Sequence, residues 1–317
     1  SGFDQVGRAS LRALYHGIAG VRNGGSGDAG SRCRGVEHIG LTAGAVAVIT
    51  GSISDLQAWW LYRMHYSANP LTEKLALFWH NHFATSSAKV RSVPHMAAQN
   101  DLFRSESLGS FRKMLHGMTK DVAMLIWLDG NANRKRQANE NFAREVLELF
   151  SLGEGNYTEA DIKQAARAFT GWHVRADKFW FNKRQHDYGS KTIFGRTGKF
   201  DGSDIIDLSL EQKACPRFIA FKLLRTFVLD QPTEAHITAL AGRIQEHDFA
   251  MRSVMRELFS SRLFFSAKAR HAIIKSPLEL VLGACRALEV RANLKEVNRV
   301  SGRLGQSIFK TTTVKGW

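Results

Sequence analysis

Disulfides, membrane-spanning helices and proline-rich linkers find little to build on in this chain. Cysteine occurs only three times in 317 residues, at Cys33, Cys215 and Cys285. So odd and widely spaced a set is no disulfide framework, and without Cys-x-x-Cys or Cys-x-x-His spacing it supplies no zinc finger. Five prolines exclude a Pro-rich spacer. No window holds the uninterrupted apolar run of about 18 residues that a spanning helix needs. The N-terminus has neither a charged n-region nor an apolar h-region, so any export signal is expected to have been removed or never present. Acidic side chains are scarce as well: 29 Asp and Glu face 44 Lys and Arg, for a net charge of +15 and a pI near 10.0. That balance points to an anionic partner, whether nucleic acid, acidic glycan, phospholipid or cell wall.

What is present is apolar material for a core. Hydrophobic residues make up 44% of the chain, enough to exclude a disordered polymer. Most of it repeats at three and four, predicting helices over Asp55 to Tyr66, Leu71 to Phe83, His95 to Ser105, Ser110 to His116, Asn139 to Phe150 and Glu159 to Phe169. Helical period returns over Pro216 to Val228, Thr233 to His247, Met251 to Phe259 and Pro277 to Leu288. Thr158 with Asp161 three residues on reads as a cap, and Gly153, Gly155 and Gly171 as helix stops. Between Trp172 and Asp204 the pattern breaks into Gly, Asn, Asp and aromatics. There, two short strands from Phe179 and Lys191 flank a turn at His186 to Gly189. The predicted fold is mainly α: a single helical domain over residues 54–317 with an irregular, β-hairpin insertion at 172–204. Residues 1–53 form a divergent helical segment with a Gly-rich loop. The run from Gly25 to Gly30 matches Gly-x-Gly-x-x-Gly but follows no strand and lies in no βαβ unit, so it is not read as a nucleotide site.

Several runs are family signatures. They are LTEKLALFWHNHFATS from Leu71, NENFAREVLELFSLG from Asn139, YTEAD from Tyr157, ARAFTGW from Ala166 and HDYGSKTIFG from His186. Together they resemble the bacterial family catalogued as domain of unknown function eighteen hundred, from about Asp55 onward and in family order. The resemblance implies a mostly helical bacterial protein, commonly exported, whose genes lie beside those of a sulfatase-like partner family. No settled activity comes with it. The family pattern leads one to expect two prolines before Val-Lys-Gly-Trp, where this chain has Thr311 to Thr313, and a domain that continues beyond Trp317.

Four constellations could carry chemistry. On the Leu71 to Phe83 helix, His82 lies within the apolar arc, while His80 points about 200° away, so the two cannot share one metal. Such a His82 is either a buried, hydrogen-bonded histidine or a ligand. On the Asn139 to Phe150 helix, Asn141, Arg144, Glu145 and Glu148 gather within about 100° of arc. Two carboxylates at i,i+3 can hold a metal or act as acid and base; they can equally be a solvated face. In the irregular segment His186, Asp187 and Lys191 bring imidazole, carboxylate and amine together, or simply make a turn. Ser86 and Lys89 fit Ser-x-x-Lys, with Arg196 to Gly198 a loose echo of Lys-Thr-Gly. The loop Asn133 to Gln137 is basic, and Trp172 and Trp180 in the irregular segment could stack on a sugar, or be core like most tryptophans of a helical domain.

The leading expectation is an exported enzyme, a metal-assisted hydrolase of an anionic or glycan-like substrate. Its catalytic groups would be Glu145, Glu148, His186 and Asp187, around a divalent metal on His82, Glu145 and His186. Asn141, Arg144, Lys191 and Trp172 would bind substrate in a pocket beside the 172–204 segment. The rival is a non-catalytic cell-surface binding or assembly protein whose basic face holds an acidic partner, with nucleic acid among the candidates. A third reading is a Ser/Lys acyl-transfer hydrolase using Ser86 and Lys89.

Overall fold

The computed structural model describes residues 45–317 except Val46 and Ala292. The expected N-terminal segment and its Gly-rich loop therefore fall almost wholly outside the described residues. The structure is 59% helical, with two small antiparallel hairpins, and is mainly α as the periodicity requires.

Two compact units share the chain. The first takes residues up to Lys74, Arg91–Ala98 and Lys275–Lys310. Its frame is α1 (Ile53–Tyr66), which contacts the last of the helices described below, α14 (Leu294–Arg303). Ser52 starts α1 by accepting from the Asp55 amide. Glu73 is buried here and doubly used: Trp60 Nε1 donates to it at 3.0 Å and Arg63 Nε at 2.9 Å. Gln57 closes the unit from within, its amide donating to Ile308 O at 2.7 Å and accepting from Asn298 Nδ2 at 3.0 Å. Residues 275–310 thus pack in the same compact unit as α1.

The second unit comprises Leu75–Val90, Gln99–Ile274 and Thr311–Trp317. Its helices begin with the second half of α2 (Pro70–His82), followed by α3 (Ser87–Val90) and α4 (Val93–Ser105), which enters the unit at Gln99. Next come α5 (Phe111–Thr119), α6 (Val122–Trp127), α7 (Glu140–Glu145) and α8 (Glu159–Ala168). Beyond the hairpins lie α9 (Gly202–Leu210), α10 (Ala214–Phe227), α11 (Glu234–Glu246) and α12 (Met251–Ser260); α13 (Pro277–Ala287) belongs to the first unit. A stack of rings forms the core. Trp79 and Phe111 lie 5.5 Å apart between centroids, Phe83 and Phe150 5.2 Å, and Phe83 and Phe103 6.1 Å. Burying one such ring contributes roughly 2–3 kcal/mol.

Helix α7 does not run on as an α-helix to Phe150. From Val146 to Leu152 it widens into a π-helix, which ends at Gly153 with φ +82. This π segment touches α5, α9 and α10. Regular 100° spacing therefore stops applying within the block that carries Glu145 and Glu148.

The irregular segment holds two hairpins. Strands β1 (Trp172–Arg175) and β2 (Lys178–Phe181) pair antiparallel, as do β3 (Lys191–Ile193) and β4 (Arg196–Gly198). The strands from Phe179 and Lys191 thus do not pair with each other across His186 to Gly189. Each finds its partner through a two-residue turn: Ala176 and Asp177, both at positive φ, close the first, and Phe194 and Gly195 the second. These are the primed turns whose twist matches that of paired strands. The ribbon is seated by Gly171, at φ +83, where a Cβ would stand 2.6 Å from Asn182 O. Gly171→Ala is therefore expected to lower stability by about 2 kcal/mol or more, read as the urea midpoint. An unchanged midpoint would show that the ribbon's seating carries no energy.

Candidate functional site

The carboxylate helix does not converge. Arg144 forms a bidentate pair with Glu159, two contacts of 2.7 Å across to α8. Glu148 accepts from the Tyr157 hydroxyl. Asn141 turns to Leu128 O at 3.4 Å. Glu145 is half-buried and has no hydrogen bond or ion pair among the described residues. Burial raises its carboxyl above the usual range, and the neighbouring Glu148 charge adds to this, against Lys315 and Arg144.

His82 has a structural task. A helix ends with unpaired carbonyls, and at the end of the π segment two of them are met by side chains. His82 Nε2 bonds Phe150 O at 3.1 Å, and Lys222 Nζ reaches Leu149 O at 3.5 Å. Both cations would be costly here, and burial pushes both down: His82 well below the ordinary histidine range, Lys222 to about 8. Lys222 also stands over the Phe218 ring at 4.7 Å. His80 is buried as well, its ring edge-on to Trp317 at 5.2 Å, and burial lowers it to about 3. The expectation that the two histidines face opposite ways holds, yet both faces are inside.

The His186–Lys191 run is a turn whose polar groups are spent internally. Arg167 on α8 clamps Asp187 with Nε at 2.8 Å and Nη2 at 3.3 Å, which holds that carboxyl down at about 2. Thr170 fixes the turn, taking His186 Nδ1 on its carbonyl at 2.9 Å and accepting the Asp187 amide on its hydroxyl oxygen at 2.8 Å. Lys191 is almost fully buried and donates to Asp187 O at 2.6 Å and Gly189 O at 3.1 Å. Trp172 is buried against Phe169 and Phe179, with Lys120 Nζ 5.3 Å from its ring.

No hydrogen bond, ion pair or ring contact joins Glu145 or Glu148 to His82, His186 or Asp187, the groups expected to share one site. The charges acting on Glu145 are Glu148, Lys315 and Arg144, while His186 touches Thr170, Phe181 and Tyr188. The two sets have no member in common. Among the described residues no group of three or more His, Cys, Asp or Glu is placed to hold a metal. His82, Glu145 and His186, expected to share a divalent ion, form no such group; each histidine bonds a backbone carbonyl through one ring nitrogen. The Ser86 hydroxyl and the Lys89 amine do not bond each other. Ser86 is buried and accepts from the Ala88 amide, while Lys89 reaches the other way to Asp129 at 2.8 Å and Trp127 O at 2.7 Å.

What the structure does assemble is a basic face. The loop before α7 closes on itself, with Arg134 and Gln137 exchanging both backbone hydrogen bonds. Its tip carries Lys135 and Arg136, the latter at φ 68. This loop is stitched to the β1–β2 ribbon. Lys135 N donates to Gln185 O at 2.8 Å, Gly171 N to Asn133 O at 3.2 Å and Val174 N to Asn131 Oδ1 at 2.6 Å, and His173 Nε2 bonds Asn133 O at 3.2 Å. Alternation along the ribbon puts Trp172, Val174, Phe179 and Phe181 on one face. On the other lie His173, Arg175, Lys178 and Trp180. Lys183 and Arg184 follow in a 3₁₀ turn. Seven exposed cations thus sit together: Arg134, Lys135, Arg136, Arg175, Lys178, Lys183 and Arg184. None of them forms an ion pair with a described residue.

The family model described as "Protein of unknown function (DUF1800)" matches residues 28–317. The chain belongs to the DUF1800 family. No curated protein and no solved structure matches it. The DUF1800 match covers both units, so the basic face lies inside the family domain and not in an appended segment. Sequence reasoning found only half of this face, the loop Asn133 to Gln137. The other half was legible in principle: a four-residue strand, a two-residue turn and a four-residue strand with cations at alternating positions.

Proposed function

We propose that this DUF1800 chain is a binding protein that holds an acidic polymer on the face formed by the loop at 131–137 and the β1–β2 ribbon. The observation that carries the reading is the seven exposed cations, without ion-pair partners among the described residues, on one loop and ribbon joined by backbone hydrogen bonds. Cations scattered over a surface are usually solvated and paired with nearby acids. Here the only carboxylate of the ribbon is Asp177, and it already has a partner of its own. Concentrated charge of one sign raises the local potential and draws in a polyanion. The non-catalytic reading gains support from how most of the candidate site groups are spent, Glu145 excepted: Glu148 accepts from Tyr157, His82 closes a helix end, His186, Asp187 and Lys191 fix a turn, and Arg144 pairs with Glu159.

The test is the salt dependence of binding. Each cation that meets an anionic group of the polymer releases a condensed counterion, so log K should fall linearly with log salt, with a slope of about −5 for a single strand if all seven engage. Titration of labelled polyanion at several salt concentrations reads that slope. A slope near zero, or no binding at low salt, would refute the proposal.

A further inference from the structure

We infer that the basic ribbon face is built for single-stranded nucleic acid, with Trp180 as the platform on which a base stacks. This rests on the polyanion-binding reading above and deepens it.

Trp180 is 37% exposed on an otherwise well-packed domain. Cross-strand pairing sets it opposite His173, with ring centroids 6.3 Å apart. Arg175, two residues on along the same ribbon face, places its guanidinium carbon 4.9 Å from the indole centroid. The ring is thus held by β1 neighbours while more than a third of it remains open to solvent. A fixed aromatic ring among cations is the pairing that single-strand binders use: charge tracks the backbone, and the ring takes a base whatever its identity.

The remaining groups on the face favour phosphates over sugar hydroxyls. Four of the seven cations are arginines, whose planar forks match phosphate oxygens two at a time. Two of the amide oxygens that a hydroxyl-rich polymer would need as acceptors are already taken: Asn131 Oδ1 accepts from Val174 N at 2.6 Å, and Asn182 Oδ1 from Arg184 N at 3.2 Å. The face is richer in donors than in acceptors and carries a ring. Double-stranded nucleic acid fits less well, because its bases are stacked on one another and cannot lie on an exposed indole.

The test compares three labelled polyanions on the full chain: a thymidine oligonucleotide, polyphosphate and heparin. Trp180→Leu keeps an apolar side chain beside His173 and Arg175 but removes the π face; Trp180→Phe keeps a ring. The expected result is that Trp180→Leu weakens oligonucleotide binding about ten-fold, leaves polyphosphate and heparin binding unchanged, and that Trp180→Phe restores most of the loss. Equal affinity of wild type and Trp180→Leu for the oligonucleotide, with salt-dependent binding intact, would overturn this inference and leave the polyanion-binding reading standing. An equal loss for heparin would overturn it in favour of a glycan. Failure of wild type to bind any of the three at low salt would overturn both. A melting curve for each variant separates loss of the ring from loss of the fold.

Discussion

Acidification from about pH 7.5 to about pH 5 is expected to destabilise the folded chain by roughly 2 kcal/mol through His80, with His82 acting in the same direction. Burial holds both imidazoles neutral in the folded state, His80 down at about 3 and His82 well below its ordinary value. In the unfolded chain each titrates near 6.5. Between the folded and unfolded values the unfolded chain binds more protons, so stability rises with pH across that window and is lost as pH falls below about 6.5. Each group contributes up to about 1.4 kcal/mol per pH unit there. Glu145 works in the opposite sense, because its raised carboxyl gains a proton more readily when folded. It is one half-buried group against two fully buried ones. Urea unfolding at a series of pH values measures the slope, and a flat profile between pH 7.5 and 5 would contradict the burial of the two rings. In a His82→Leu variant about half of the slope should remain.

The second large effect separates packing from chemistry. His82→Ala is expected to destabilise the fold by about 3 kcal/mol, a fall in melting temperature of roughly 6–12 °C. The variant opens space among Phe78, Trp79, Phe83 and Phe150 and leaves Phe150 O without its donor. A catalytic or metal-binding histidine would behave otherwise, with activity lost and melting little changed. An unchanged melting temperature in His82→Ala would restore His82 as a functional group.

The helices were legible because their apolar residues repeat at three and four, and because the caps are chemically explicit. Thr158 and Asp161 make the reciprocal cap that their spacing announces. The π segment was not legible, since a spacing argument at 100° per residue presupposes the α-helix it is meant to find. That assumption placed Asn141, Glu145 and Glu148 on one converging face; in the structure Asn141 turns to Leu128 and Glu148 to Tyr157. The burial of His82 could be read from its place in an apolar stripe, but its partner lies 68 residues away and leaves no local trace. The His186–Lys191 run could be read either as a chemical group or as a turn, and in the structure its polar groups serve a turn. Arg167 and Thr170 use it to fasten the segment to α8 and its C-terminal turn. The basic face escaped notice because backbone hydrogen bonds join its two halves, and such bonds carry no side-chain signature.

The central claim is that binding is local to this face and not a consequence of overall charge. It is tested most directly by removing the same number of cations in two places. One variant carries Arg134→Ser, Arg136→Asn, Arg175→Ser and Lys178→Ser, with Asn at 136 because that backbone is left-handed. The other neutralises the exposed Arg252, Arg256, Arg262 and Lys268. Both lower the net charge equally. Titrated with the same polyanion across a salt series, the first should lose about 100-fold or more in affinity at low salt and flatten the salt slope by about 3, while the second stays close to wild type. Equal losses in the two variants would contradict the account.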